Sequence, residues 1–122
     1  MNLLIIDKNE QLRRIYEDEL YYEGYNTCGA GTARQALDLL TQLDKIDLIT
    51  LDPGVEDMDG ADLLNKLRKR LPETPIIIHS AYGTCSHDFR FWLADACIGK
   101  SPDLTELKEN IKILLESNKQ YY

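Results

Sequence analysis

The sequence predicts an α/β fold built on a doubly wound, five-stranded parallel sheet. Short apolar runs alternate five times with segments of helical periodicity. The apolar runs are nearly continuous, so both faces of each strand are covered, as in a parallel sheet. The chain has 122 residues, 43% hydrophobic and 29% charged, which suits one domain with one core. A single domain is therefore expected over residues 1–122, with its core at about 2–116 and a frayed tail at 117–122.

Leu3-Leu4-Ile5-Ile6 reads as a buried first strand. Leu12, Ile15, Tyr16 and Leu20 follow at helical spacing until Glu23-Gly24, where glycine ends the helix. Tyr25 to Cys28 forms a short second strand. Gly31-Thr32 opens the second helix, with Thr32 and Gln35 at capping-box spacing and Ala36, Leu37 and Leu40 facing inward. Ile46 to Leu51 is the third strand, followed by an acidic loop from Asp52 to Asp59. Gly60 leads into a helix with Leu63, Leu64, Leu67 and Leu71 on one side. Pro75 to Ile78 is the fourth strand. Cys85 to Leu93 predicts a weak, short helix with Phe89, Trp92 and Leu93 as its apolar residues. Ala96-Cys97-Ile98 is the fifth strand. Ser101 is expected to cap the last helix, with Pro102 at its first position and Leu104, Leu107, Ile111 and Leu114 inside. Right-handed crossovers arrange these strands in the flavodoxin-like order 2-1-3-4-5.

Composition excludes several functions. Cys28, Cys85 and Cys97 show no CxxC spacing, so free thiols in a reducing cytosol are expected rather than disulfides or zinc. His79 and His87 are neither adjacent nor at zinc-site spacing. A net charge of -7 repels nucleic acid. No apolar run is long enough for a bilayer, and the start lacks the basic region of a signal peptide. A cytoplasmic domain that binds neither nucleic acid nor membrane is expected.

In such sheets the functional crevice lies beyond the carboxyl ends of the strands. Asp7, Lys8, Asn9 and Glu10 follow strand one, and Asp52, Pro53 and Gly54 follow strand three. Ser80 and Ala81 follow strand four; Lys100 and Ser101 follow strand five. One edge thus receives two carboxylates, a hydroxyl and an ammonium. That set suits phosphoryl transfer to a carboxylate. Asp52, the first polar residue after a buried strand, is the expected nucleophile. Lys100 can neutralise part of the charge on the transferred group, and Ser80 and the Ala81 N–H can donate hydrogen bonds to it. Asp7 can help hold Mg²⁺, a hard cation that prefers oxygen ligands.

The chain resembles the receiver domain of two-component response regulators from Leu3 to about Leu115. The resemblance rests on Leu3-Leu4-Ile5-Ile6-Asp7, on Asp47 to Asp52, and on Met58-Asp59-Gly60 at the family's spacing from the nucleophile. It rests also on Pro75 to Gly83 and on Ile98-Gly99-Lys100-Ser101. It implies the (βα)5 receiver fold, Asp52 as phosphoacceptor, Ser80 as switch hydroxyl and Lys100 as phosphate-sensing lysine. It implies Mg²⁺ held by Asp7, Asp52 and the Gly54 carbonyl. The implied partners are a histidine kinase or phosphotransfer protein upstream and a downstream protein or missing output domain. The chain would be a signalling phosphoacceptor rather than a turnover enzyme.

Several residues depart from that family. Lys8 stands where the family has a second, metal-binding acid. Either it turns to solvent, with Asp7 or Glu10 partly compensating, or it pairs with Asp52. At ~4 Å and an effective dielectric of ~20 the second arrangement carries a Coulomb term of about 4 kcal/mol before desolvation. Pro53 removes the N–H next to the nucleophile. Cys97 replaces the switch aromatic, a role open to Tyr82, although Tyr82 also reads as a surface tyrosine. A flavodoxin would need a Ser/Thr/Gly-rich loop after strand one. A haloacid-dehalogenase-type phosphatase would need an acid where Gly54 stands. The remaining alternative is a degenerate receiver, a phosphorylation-independent interaction module, for which Lys8, Pro53 and Cys97 speak.

Overall fold

Each apolar run becomes a strand whose residues alternate between two helical layers. The computed structural model describes residues 1–81 and 88–119. Its elements are β1 (Asn2–Ile6), α1 (Glu10–Tyr22), β2 (Asn26–Ala30), α2 (Ala33–Gln42) and β3 (Leu48–Leu51). They continue with α3 (Gly60–Arg70), β4 (Ile76–Ser80), a 3-10 turn (Phe89–Phe91), β5 (Ala96–Gly99) and α4 (Thr105–Lys119). The sheet order is β2-β1-β3-β4-β5, every pairing parallel. The expected order and doubly wound topology are therefore observed.

Because strand side chains alternate, Leu4, Ile6, Ile49, Leu51, Ile76 and Ile78 join one core with α2 and α3. Leu3, Ile5, Leu48, Ile77 and Ile98 join the other with α1 and α4. Fully burying a leucine or isoleucine contributes about 1.5–3 kcal/mol relative to exposure, so these two layers dominate the stability.

Caps set the helix ends. The Asn9 side chain accepts from the Leu12 N–H, and Thr32 accepts from Gln35. Gly24 ends α1 at φ +96, a conformation that a side chain would strain. The last helix begins at Thr105, not at Ser101. Asp103 accepts from the backbone and hydroxyl of Thr105, while the Leu104 carbonyl takes the first helical bond, from Lys108. Pro102 therefore sits in the preceding turn. Leu115 fills the inner position expected of Leu114, which is half-buried. Ile15, expected inside, is exposed.

The segment before β5 also differs from expectation. Among its described residues it forms only the 3-10 turn, started by Asp88 accepting from the Arg90 N–H. Phe89 and Trp92 point outward, each 73% exposed, and Phe91 packs on the core instead. Arg68 holds the chain there by donating to the carbonyls of Leu93 and Thr74 and to Asp95. Cys97 is disulfide-bonded and Cys28 free, which corrects the expectation of three free thiols. The expectation came from cysteine count and compartment and carried no geometry. Tyr82, Gly83, Cys85, His87 and tail residues 120–122 lie outside the described residues. Among the described residues, no helix is long and apolar enough to cross a membrane.

Candidate functional site

The strand ladders bring the expected residues to one edge. The Asp52 N–H donates to the Ile6 carbonyl at 2.9 Å, which sets the end of β3 beside the end of β1. Asp7 leaves β1 with its N–H on the Ala30 carbonyl at 3.0 Å. Across the sheet, the Lys100 N–H donates to the Ser80 carbonyl at 2.8 Å, joining the ends of β5 and β4. Asp7, Asp52 and Lys100 thus follow β1, β3 and β5, and Ser80 ends β4 between the last two.

Lys100 closes the arrangement. Its Nζ donates to Asp7 Oδ2 and to Asp52 Oδ2, each at 2.6 Å. The other carboxylate oxygens are held by local turns. Asp7 Oδ1 accepts from the Asn9 N–H, and Asp52 Oδ1 accepts from the Gly54 N–H, both at 2.9 Å. The Asp7 side chain is 3% exposed and those of Asp52 and Lys100 are 14% and 13%. Burial works against the Lys100 ammonium, but hydrogen bonds to Asp52 and Asp7 outweigh it and raise its pKa. Two carboxylates and one ammonium leave the cluster with one net negative charge. A carboxylate hydrogen-bonded to a lysine has the chemistry of a nucleophile with a cation beside it.

Two rings lie behind this cluster. His79, on the β4 residue before Ser80, is 4% exposed and packs against Tyr16 of α1 with centroids 5.0 Å apart. Burial, then the nearby Lys100 charge, pushes His79 down to about 4, with Asp7 and Asp52 opposing. Burial raises the Tyr16 hydroxyl, Lys100 opposes it, and Asp7 and Asp52 add to the rise. Both rings therefore share the electrostatics of the site. The sequence marks them only as a helix-face and a strand residue, because their meeting is a long-range contact between α1 and the sheet.

The mouth is framed by charges that the spacing did not reveal. Lys8 is not paired with Asp52. Its Nζ lies 3.8 Å from Glu56 Oε1, with the two side chains 51% and 82% exposed. Lys100, from the far strand, holds Asp52 in its place. Glu10 pairs with Arg14 along α1 and supplies nothing to Asp7. Arg13 donates to the Asp7 carbonyl at 2.7 Å and fixes the start of the β1–α1 loop. Asp57 reaches to α2 and accepts from the N–H groups of Ala33 and Arg34. These bonds hold its carboxyl below the usual carboxylate range. Gly60 packs so close to Pro53 that a Cβ would lie 2.6 Å from the Pro53 carbonyl and 2.8 Å from its Cα. The turn after Asp52 is thereby clamped against the start of α3.

Asp7, Asp52 and the Gly54 carbonyl are a small oxygen set, and Mg²⁺ often takes only one or two carboxylates plus waters. Yet every oxygen of the two carboxylates already accepts a hydrogen bond. Among the described residues, no group of three or more His, Cys, Asp or Glu is gathered for a metal. The donors fit a weakly held Mg²⁺ that competes with Lys100, not a tightly resident ion.

Beside the cluster, Leu12, Ile15 and Tyr16 of α1 and Pro102 and Leu104 beyond β5 line an open, mostly apolar groove that Lys100 borders.

Comparison with known proteins gives the family and the fold. The family described as response regulator receiver domain matches residues 3–112. Sporulation initiation phosphotransferase F of Bacillus subtilis is 33% identical over 81 residues, covering 66% of this chain and 64% of that protein. The transcriptional regulatory protein CpxR of Escherichia coli is 37% identical over 82 residues, covering 67% of this chain and 34% of that protein. The chain thus spans less than two thirds of the length of these curated relatives. Response regulator protein TrrA from Thermotoga maritima, crystallised in complex with Mg²⁺-BeF, superposes with a TM-score of 0.87 at 30% identity, covering 93% of this chain and 97% of TrrA. TrrA was also crystallised in complex with the histidine kinase ThkA.

Proposed function

The chain belongs to the response regulator receiver domain family, and on that premise we propose that Asp52 accepts a phosphoryl group from a phosphohistidine. The donor is a histidine kinase or phosphotransfer protein. The observation that carries the reading is the single Lys100 ammonium hydrogen-bonded to both Asp7 and Asp52. Asp52 attacks phosphorus, the P–N bond breaks, and the imidazole leaves with the electron pair and takes a proton from solvent. Lys100, the Ser80 hydroxyl and the Ala81 N–H receive the phosphoryl oxygens. Asp7, Asp52 and the Gly54 carbonyl would hold Mg²⁺, which when bound would supply further positive charge to the transferred group. Phosphorylation draws Lys100 from Asp7 toward the phosphoryl group, and a partner protein or output domain reads the change. The protein works in the cytoplasm, without contact to nucleic acid or membrane by this domain.

The apolar groove bordered by Lys100 suits a donor protein, because its Leu12, Ile15 and Leu104 side chains lie beside the cluster. The alternative is the phosphorylation-independent module, for which Lys8 in place of an acid is the evidence. Incubation with acetyl phosphate and Mg²⁺, followed by intact-mass measurement, separates the two. We expect one base-labile phosphoryl group on the wild type and none on Asp52→Asn. An unchanged wild-type mass at high donor and Mg²⁺ favours the interaction module.

A further inference from the structure

We propose that Lys8 is a further catalytic residue, whose ammonium leaves Glu56 to contact the incoming phosphoryl group and lets Asp52 be phosphorylated without a divalent ion. This rests on Asp52 being the phosphoacceptor. The need for a second cation follows from charge. Asp7, Asp52 and Lys100 together carry one net negative charge. Once Asp52 becomes an acyl phosphate, its own charge is replaced by the phosphoryl dianion. With Asp7 and Lys100 the cluster then carries two negative charges, more than Lys100 alone can balance.

Lys8 is placed to supply the missing charge. It follows Asp7 directly, and its partner Glu56 lies four residues after Asp52. The Lys8–Glu56 contact therefore links the β1–α1 and β3–α3 loops, the two that deliver Asp7 and Asp52. At 3.8 Å between exposed side chains the pair is weak. A phosphoryl dianion, nearer the enclosed cluster, competes well with one solvated carboxylate. A divalent ion, in contrast, must compete with Lys100 for carboxylate oxygens that are all already engaged. Lys100 thus bridges the carboxylates before transfer, and Lys8 joins it on the phosphoryl group as the group arrives. With acetyl phosphate, an Asp52 oxygen attacks phosphorus, the P–O bond to the acetyl group breaks, and acetate leaves with the electron pair. No proton moves, so the step needs charge stabilisation only.

The test is the rate of acyl-phosphate formation from acetyl phosphate on the full chain, read by intact mass, in Mg²⁺ and in EDTA. Wild type is expected to label in EDTA within about five-fold of its Mg²⁺ rate. Lys8→Ala is expected to label in EDTA about ten-fold or more slowly than wild type, and to recover when Mg²⁺ is added. Glu56→Gln, which releases the ammonium, is expected to label faster than wild type in EDTA. Both positions are solvent-facing, and circular dichroism checks that the variants fold. Wild type that labels with Mg²⁺ but is silent in EDTA overturns the role of Lys8 and leaves Asp52 as phosphoacceptor. Lys8→Ala labelling as fast as wild type in EDTA also overturns it. No label in either buffer removes the phosphoacceptor reading and this one with it.

Discussion

Lowering the pH should cost this protein stability through one buried ring. His79 is 4% exposed, packs on Tyr16 and has its pKa lowered to about 4, first by burial and then by Lys100. In the unfolded chain the same imidazole titrates near its ordinary value of 6.5. Between these values the unfolded state binds the proton and the folded state does not, so stability falls as pH falls. The stabilising contribution is fully present above about pH 6.5 and is lost progressively down to about pH 4. At about pH 5 the loss from this group is about 2 kcal/mol, a large share of a small domain's stability. Urea denaturation at a series of pH values, for wild type and His79→Leu, isolates the effect. Asp7, Asp52 and Lys100 are present in both proteins, so their titration largely cancels in the difference. The wild-type curve should drop more steeply than the variant's across this window. Parallel curves would show that His79 takes up its proton without leaving its site, and the burial argument would be wrong.

Other perturbations have equally definite outcomes. Gly60→Ala forces a Cβ into the Pro53 backbone, so denaturant melts should show a loss of about 1–3 kcal/mol, with slower labelling of Asp52. Arg68→Ala removes donors to the carbonyls of Leu93 and Thr74 and to Asp95; we expect a loss of about 2–3 kcal/mol by the same assay, since charge-assisted bonds are the stronger ones. Lys8→Asp should bind Mg²⁺ more tightly than wild type in calorimetric titration, because it exchanges a like charge for an oxygen ligand. Equal affinities would mean that position 8 does not contribute to the ion's surroundings. Lys100→Ala should slow acetyl phosphate labelling on the order of 10²-fold, since its ammonium is the group bound to the nucleophile.

The fold was readable because its determinants are periodic. Leu3-Leu4-Ile5-Ile6 and Pro75 to Ile78 are apolar on both faces, and Thr32 with Gln35 sets a helix start by local chemistry alone. Asp7, Asp52 and Lys100 were readable as a group for a topological reason: residues at strand ends converge whatever their sequence distance. What could not be read depends on side-chain reach. Lys100 and Lys8 are both lysines at strand ends, yet one bridges the buried Asp7 and the partly buried Asp52 and the other leans on Glu56. Nothing in their spacing separates those outcomes. Tyr16 and His79 meet only through the tertiary packing of α1 on the sheet. The start of α4 was misplaced because Ser101-Pro102 and Asp103-Leu104-Thr105 both carry capping chemistry, and Asp103 prevailed. Among the described residues of the expected helix, 88–93, a 3-10 turn stands instead, and Phe89 and Trp92 remain exposed rather than burying one face.

Whether the carboxylate held by Lys100 is the group that takes the phosphoryl can be read directly. The wild-type chain is incubated with acetyl phosphate, the acyl phosphate is reduced with borohydride, and the resulting homoserine is located by peptide mass spectrometry. Homoserine at position 52, absent from Asp52→Asn, is the expected result. Homoserine at Asp7 or Asp59 instead, or at no aspartate under conditions that label a known receiver domain, would contradict it.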